Sequence, residues 1–157
     1  MSPSSVLNPD HALILEFLAS DRAPRPFDTN PLARSLGTQL LAADPQEGSV
    51  RLGFEPGRQF LQGNDCVQGG IVAAMLDFAL ALSVFTRLEP GRSHSTAAFS
   101  INLLRPTHVG RYVAHGRIQR MGARLAFVEA SLAYAGTEDL VATATGVMSL
   151  RVARQGA

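Results

Sequence analysis

Between Gln68 and Thr86 the chain reads Gly-Gly-Ile-Val-Ala-Ala-Met-Leu-Asp-Phe-Ala-Leu-Ala-Leu-Ser-Val-Phe, and Asp77 is its only charge. No Pro or Gly follows Gly70, Ala and Leu dominate, and the run exceeds ordinary strand length, so the pattern predicts an α-helix. The helix is apolar on nearly all sides and must therefore be buried. A membrane span is the rival reading for the 18 residues ending at Leu88. Asp77 near the middle would cost roughly 3 kcal/mol on insertion scales, and no Arg-rich flank orients the segment.

Downstream the period changes from helical to two. Ser95 to Leu104, Arg111 to Met121, Leu125 to Ala135 and Leu140 to Leu150 predict four strands, joined at Pro106 to Gly110, Gly122-Ala123 and Gly136-Thr137. In the second, Arg111, Val113, His115, Arg117 and Gln119 share one face while Tyr112, Ala114, Gly116 and Ile118 share the other, so one side meets a core and one meets water. Upstream, Asn8-Pro9-Asp10 opens a short helix that ends near Ala19, and Asp21 to Pro31 reads as irregular. Leu36 to Ala43 and Ser49 to Phe54 predict two more strands around the turn Asp44 to Gly48, and Glu55 to Val67 predicts a loop. The expected class is α+β, with an antiparallel sheet curled around one long helix. Residues 1–35 form an extension and residues 36–152 a single domain in this reading.

With 157 residues, one domain with a real core is the default. No basic residue precedes the apolar run Ala12 to Leu18, and Glu16 interrupts it, so the amino terminus does not read as a targeting segment and a cytoplasmic location is expected. The single cysteine, Cys66, excludes an intrachain disulfide or a multi-cysteine metal site. A net charge of +1 argues against a general nucleic-acid binder. All 14 basic residues are Arg, and from Arg87 to Arg124 seven of them face a single acid, Glu89. The guanidinium fork suits phosphate, so the stretch is compatible with a phosphorylated ligand or a carrier-protein surface, and equally with solvated strand faces.

An ionised carboxylate in apolar company is costly unless hydrogen-bonded, and such groups are often catalytic, which makes Asp77 the candidate centre. Gly69 and Gly70 open the same helix. N–H groups at a helix start carry partial positive charge, and glycine lets a ligand approach the backbone closely. They suit an oxyanion hole, or they merely allow tight packing of the helix end.

The segment Val67-Gln68-Gly69-Gly70-Ile-Val-Ala-Ala-Met-Leu-Asp77, with Asn102-Leu-Leu-Arg-Pro106 and Val141-Ala-Thr-Ala-Thr-Gly146 on later strands, resembles the PaaI-type branch of the hotdog-fold acyl-CoA thioesterases, over about Leu36 to Leu150. The resemblance implies a hotdog fold, an acyl-CoA substrate and a homodimer, often a dimer of dimers; no cofactor, metal, membrane or nucleic-acid partner is expected. It implies that the Gly69 N–H polarises the thioester carbonyl and that Asp77 acts as base or nucleophile. The family usually has His where this chain has Gln68, though Gln also occurs. A family Asn that assists the carbonyl falls on Gln62, with Asn64 two residues later, and Thr96 matches a hydroxyl that orients the attacking water.

Eight helical residues separate Gly69 from Asp77, or roughly 12 Å. One carbonyl cannot lie within hydrogen-bond reach of both, so two groups acting on one thioester must come from two subunits related by a two-fold axis. Arg105, Arg120 and Arg124, at strand ends or turns, are the candidates for the CoA phosphates. Cys66 near the helix start could be a nucleophile but reads more simply as a bystander. His11, His94, His108 and His115 lack metal spacing, and only His94 falls near Thr96. No phosphate loop, dinucleotide fingerprint or Gly-x-Ser-x-Gly elbow occurs. Two function classes stand: a thioesterase, and a non-catalytic hotdog module that binds acyl thioesters. A hotdog dehydratase is disfavoured because Gln68 cannot shuttle a proton as imidazole does.

Overall fold

A computed structural model describes residues 8–20 and 24–152. In chain order the elements are α1 (Pro9–Leu18), β1 (Arg25–Pro26), α2 (Pro31–Ser35), β2 (Gln39–Asp44), β3 (Ser49–Phe54), a 3₁₀ turn (Arg58–Phe60), α3 (Gly69–Phe85), β4 (Arg92–Leu103), β5 (Tyr112–Met121), β6 (Leu125–Tyr134) and β7 (Leu140–Val152). All seven strands join one antiparallel sheet in the order β1-β2-β3-β5-β6-β7-β4. The long helix and the six expected strands are present within a few residues of the expected bounds.

Two elements lie within or directly after the stretch the sequence read as irregular. Asn30-Pro31 caps α2 as Asn8-Pro9 caps α1: the Asn30 side chain accepts the Ala33 N–H at 2.9 Å, and Pro31 takes the first turn. The α2 helix ends before β2, which therefore starts at Gln39 rather than Leu36. Arg25–Pro26 pairs with Gln39 and Leu40 at one margin of the sheet, a place where proline is tolerated because no ladder N–H is needed outward.

The inner face of the sheet follows the expected alternation. Tyr112, Ala114, Gly116 and Ile118 of β5 are buried, and so are Ala126, Val128, Ala130 and Leu132 of β6. Against them lies α3 with Val72, Met75, Leu76, Ala79 and Leu80 fully inside. Contact is closest at Gly116, where a Cβ would stand 2.0 Å from the Ala79 carbonyl oxygen. Bulges at Leu40/Ala42, Thr96/Ala98 and Ile118/Arg120 bend the strands and let the sheet wrap the helix. No helix among the described residues is long and apolar enough to cross a membrane.

The C-terminal half of α3 is covered by α1. His11 of α1 is fully buried and stacks on Phe85 at 4.6 Å, while His94 of β4 tilts against the same ring at 4.3 Å. Neither imidazole has a hydrogen-bond partner among the described residues. Burial pulls His94 down to about 4, with the nearby Ala81 carbonyl and Asp10 offsetting part of the effect and His11 adding to it. Burial lowers His11 as well.

Two outcomes are expected. Gly116→Ala forces backbone against backbone and should lower unfolding free energy by about 3 kcal/mol or more in urea titration. Gly70→Ala, whose Cβ meets nothing within 4 Å, should change it by less than about 1 kcal/mol. Equal stability of the two variants would contradict the packing. For His94, the unfolded chain binds a proton near pH 6.5 while the folded one resists until about 4, and His11 is shifted in the same direction. The stability tied to neutral His94 is fully present above 6.5 and is lost as pH falls from there towards 4, on the order of 3 kcal/mol. Melting temperatures at pH 7.5 and 4.5 should therefore diverge less in His94→Phe than in the parent, and an unchanged difference would contradict this assignment.

Candidate active site

The start of α3 is built from a loop strapped to the β4–β5 connection. Val67 N–H donates to the Thr107 carbonyl at 2.6 Å and Gln68 N–H to the Phe60 carbonyl at 2.9 Å, which fixes where the helix begins. The Gln68 carbonyl accepts the N–H groups of Ile71 and Val72, whereas its side chain is exposed and caps nothing. Gly69 and Gly70 come next, and their N–H groups have no acceptor among the described residues. They are the free donors of a helix start, with the positive end of the dipole behind them.

A cleft of about 450 Å³ opens beside Gly69, lined among others by Gln62, Asn64, Cys66 and Arg105. The Gln62 side-chain oxygen accepts the Asn64 backbone N–H at 2.6 Å, which turns its amide nitrogen into the remaining free donor. Asn64 is exposed at the tip of the same turn. Arg105 lies at the rim, 3.3 Å from Asp139 in a largely exposed ion pair. Cys66 Sγ stands 3.8 Å from His108 Nδ1, an approach that one-dimensional spacing did not reveal.

Two turns further along α3, Asp77 is half-buried and faces β4. Thr96 Oγ1 donates to Asp77 Oδ1 at 2.9 Å, which fixes the carboxylate and leaves its second oxygen free. Thr96 sits at the β4 bulge, the local irregularity that re-aims a side chain. A second cleft of about 270 Å³ surrounds this pair and includes Phe78, Ala81, Phe85 and His94. Asn8 and Asp10, from the start of α1, also line it. No sequence signal marked these two, because the contact depends on how α1 folds back.

No residue is common to the two clefts. Within one chain the structure thus groups Gly69, Gln62, Asn64 and Arg105, and separately Asp77, Thr96 and His94. Arg120 and Arg124 lie around the β5–β6 turn at the other end of the sheet from Arg105, where Leu150 N–H reaches the Arg124 carbonyl at 2.8 Å. Among the described residues, no three His, Cys, Asp or Glu side chains are placed to hold a metal ion.

Strand β4 ends the sheet, with its outer edge unpaired among the described residues. On its helix side Phe99 and Leu103 are 41% and 57% exposed, a wide apolar strip beside α3.

The model of the thioesterase superfamily matches residues 66–138, which include Gly69 and Asp77 of α3. A phenylacetic acid degradation-related protein from Ralstonia eutropha superimposes with a TM-score of 0.75 at 32% identity, over 87% of this chain and 98% of that one. A thioesterase family protein from Silicibacter pomeroyi gives 0.76 at 23% identity, over 90% and 98% of the two chains. The E. coli PaaI protein from the phenylacetic acid degradation operon gives 0.70 at 19%, over 91% and 94%. No curated protein matches the chain by sequence. The α+β sheet wrapped on one helix is the hotdog fold of these structures, and the chain belongs to the thioesterase superfamily, in its PaaI-type branch.

Proposed function

We propose that the protein hydrolyses an acyl-CoA thioester at sites shared by two copies of the chain. The observation that carries this reading is the division of the chemistry into two clefts on one helix, each holding half of what the reaction needs.

The β4 edge supplies a way to join them. An unpaired strand edge is a template for another strand, and its exposed apolar face needs cover. Antiparallel pairing of two β4 strands about an axis near Phe99 and Ser100 sets Thr96 of one copy across from Leu103 of the other. Leu103 is the side chain nearest to where a Gly69 Cβ would stand, at 3.1 Å. The Asp77 half-site of one copy then borders the Gly69 half-site of its partner, and Arg120 and Arg124 of the first move towards Arg105 of the second. Three guanidinium groups from two subunits then flank the mouth where CoA phosphates would enter.

In that setting the carbonyl oxygen accepts from the Gly69 N–H, with the Gln62 amide as second donor. These donors are fixed before the reaction and stabilise the negative charge that develops on oxygen. Asp77, held by Thr96, takes a proton from water as the water oxygen bonds to the carbonyl carbon. The carbon–sulfur bond breaks as the carbonyl re-forms, and the proton on Asp77 passes to the CoA thiolate. Products are the free acid and CoA. The link of the R. eutropha neighbour to phenylacetic acid degradation makes arylacetyl-CoA thioesters sensible first substrates, alongside straight-chain ones.

Asp77→Asn keeps the shape and removes the base, so turnover should fall at least about a hundredfold with an unchanged melting temperature. Hydrolysis is read by thiol release from acyl-CoA. A folded Asp77→Asn protein with near-parental turnover would remove Asp77 from the mechanism. A parent protein that binds acyl-CoA without releasing thiol would favour the non-catalytic module.

A further inference from the structure

The cleft beside Asp77 has a direction. Its α3 wall is one stripe, Ala74, Asp77, Phe78, Ala81, Leu82 and Phe85, spaced by three and four residues as one helical face requires. All but Ala74 lie at Asp77 or on its C-terminal side, so the groove runs from the carboxylate towards the end of the helix. Its α3 wall is apolar beyond Asp77, while Asn8, Asp10, His94, Ser95 and Thr96 supply the rest of its polar lining.

At the far end Phe85 and His94 stand in ring contact, and His11 stacks on Phe85 as well. Above them the start of α1 brings Asn8 and Asp10 into the same cleft. Asp10 is tied down in turn by the Thr29 hydroxyl and, at 3.5 Å, by the Asn30 amide, so α1 is anchored to the segment that leads into α2. The helix outside the sheet therefore works as an end wall for the groove beside the candidate base.

We infer that this wall, Phe85 backed by His11 and His94 and roofed by α1, is an acyl-length gauge that admits chains of up to roughly ten carbons and rejects long-chain acyl groups. The inference rests on the catalytic reading of Asp77 given above. From Asp77 to Phe85 the groove spans eight helical residues, or roughly 12 Å. At about 1.5 Å per carbon–carbon bond, shortened by the zigzag, that length takes roughly eight to ten carbons. The cleft of about 270 Å³ is also well above the roughly 150 Å³ at which an apolar cavity takes up a small ring-sized ligand. Each methylene buried before the wall should improve kcat/KM by roughly threefold to fourfold, the effect of taking one CH₂ out of water. Beyond the wall a chain must displace α1 or draw back out of the groove, which gives up burial already gained at roughly threefold to fourfold per methylene, so kcat/KM falls.

Saturated acyl-CoA substrates from four to sixteen carbons test this with the full chain. For the parent, kcat/KM should climb to an optimum near eight to ten carbons and drop at least about tenfold by fourteen, in line with the per-methylene effect. Ala81→Leu adds bulk at a half-buried position on the groove floor and should move the optimum at least two carbons shorter. Phe85→Leu lowers the wall and should move it longer; Ala81→Leu keeps the test open if Phe85→Leu is unstable. A parent profile that stays level to sixteen carbons, or an Ala81→Leu optimum in the parental place, overturns the gauge while leaving hydrolysis at Asp77 intact. If the parent binds but does not hydrolyse, the catalytic reading fails instead, and the same break must appear in calorimetric Kd values against chain length for the gauge to stand. Lack of both binding and hydrolysis overturns the two together.

Discussion

The backbone of α3 approaches β5 so closely that nothing larger than a hydrogen fits at Gly116 beneath the Ala79 carbonyl. Such an approach fixes the rotation of the helix about its axis as well as its distance from the sheet. With Ala79 directed at β5, Val72, Met75, Leu76 and Leu80 also turn to the sheet, at the offsets that share one helical face. Ala74, Asp77, Phe78 and Ala81 are then left on the flank that faces β4 and α1. The position of the carboxylate next to Thr96 is thus a consequence of a glycine on another strand.

The same helix explains why the site is split. Its start offers free N–H groups and its middle offers a carboxylate, and a rigid helix cannot bring the two together. Neither half needs to be completed within the chain if a second copy supplies the other half. The exposed edge of β4 lies beside both clefts, since Thr96 borders one and Leu103 the other. The proposed two-fold arrangement would meet two needs with one contact: cover for the exposed Phe99 and Leu103, and a partner for each half of the candidate site.

Much of the fold, and the helix that carries the candidate site, was legible in the sequence because the strongest signals coincide with the strongest physical constraints. A lone Asp in an apolar helix, a Gly-Gly start and clean alternation from Tyr112 to Ile118 each follow from what burial permits. The α2 helix carried the same Asn-Pro signature as α1, yet its five residues give no periodicity to detect. The role of α1 as a wall was invisible, because which helix covers Phe85 is decided by tertiary contact. The separation of Arg105 from Arg120 and Arg124 was likewise hidden, for strand order β6-β7-β4 cannot be read from turn positions.

The central claim is that each site draws Gly69 from one copy and Asp77 from the other. Two inactive full-length chains test it, Asp77→Asn and Gly69→Pro, the latter placing proline at the first helical position where it is tolerated while removing the donor N–H. Co-expression with different tags and tandem purification isolates mixed dimers, and thioester hydrolysis is then compared with that of each homodimer. The account predicts that mixed dimers recover about half the parental turnover, one restored site of two, while both homodimers stay inactive. Verified mixed dimers as inactive as their parents would contradict the shared site.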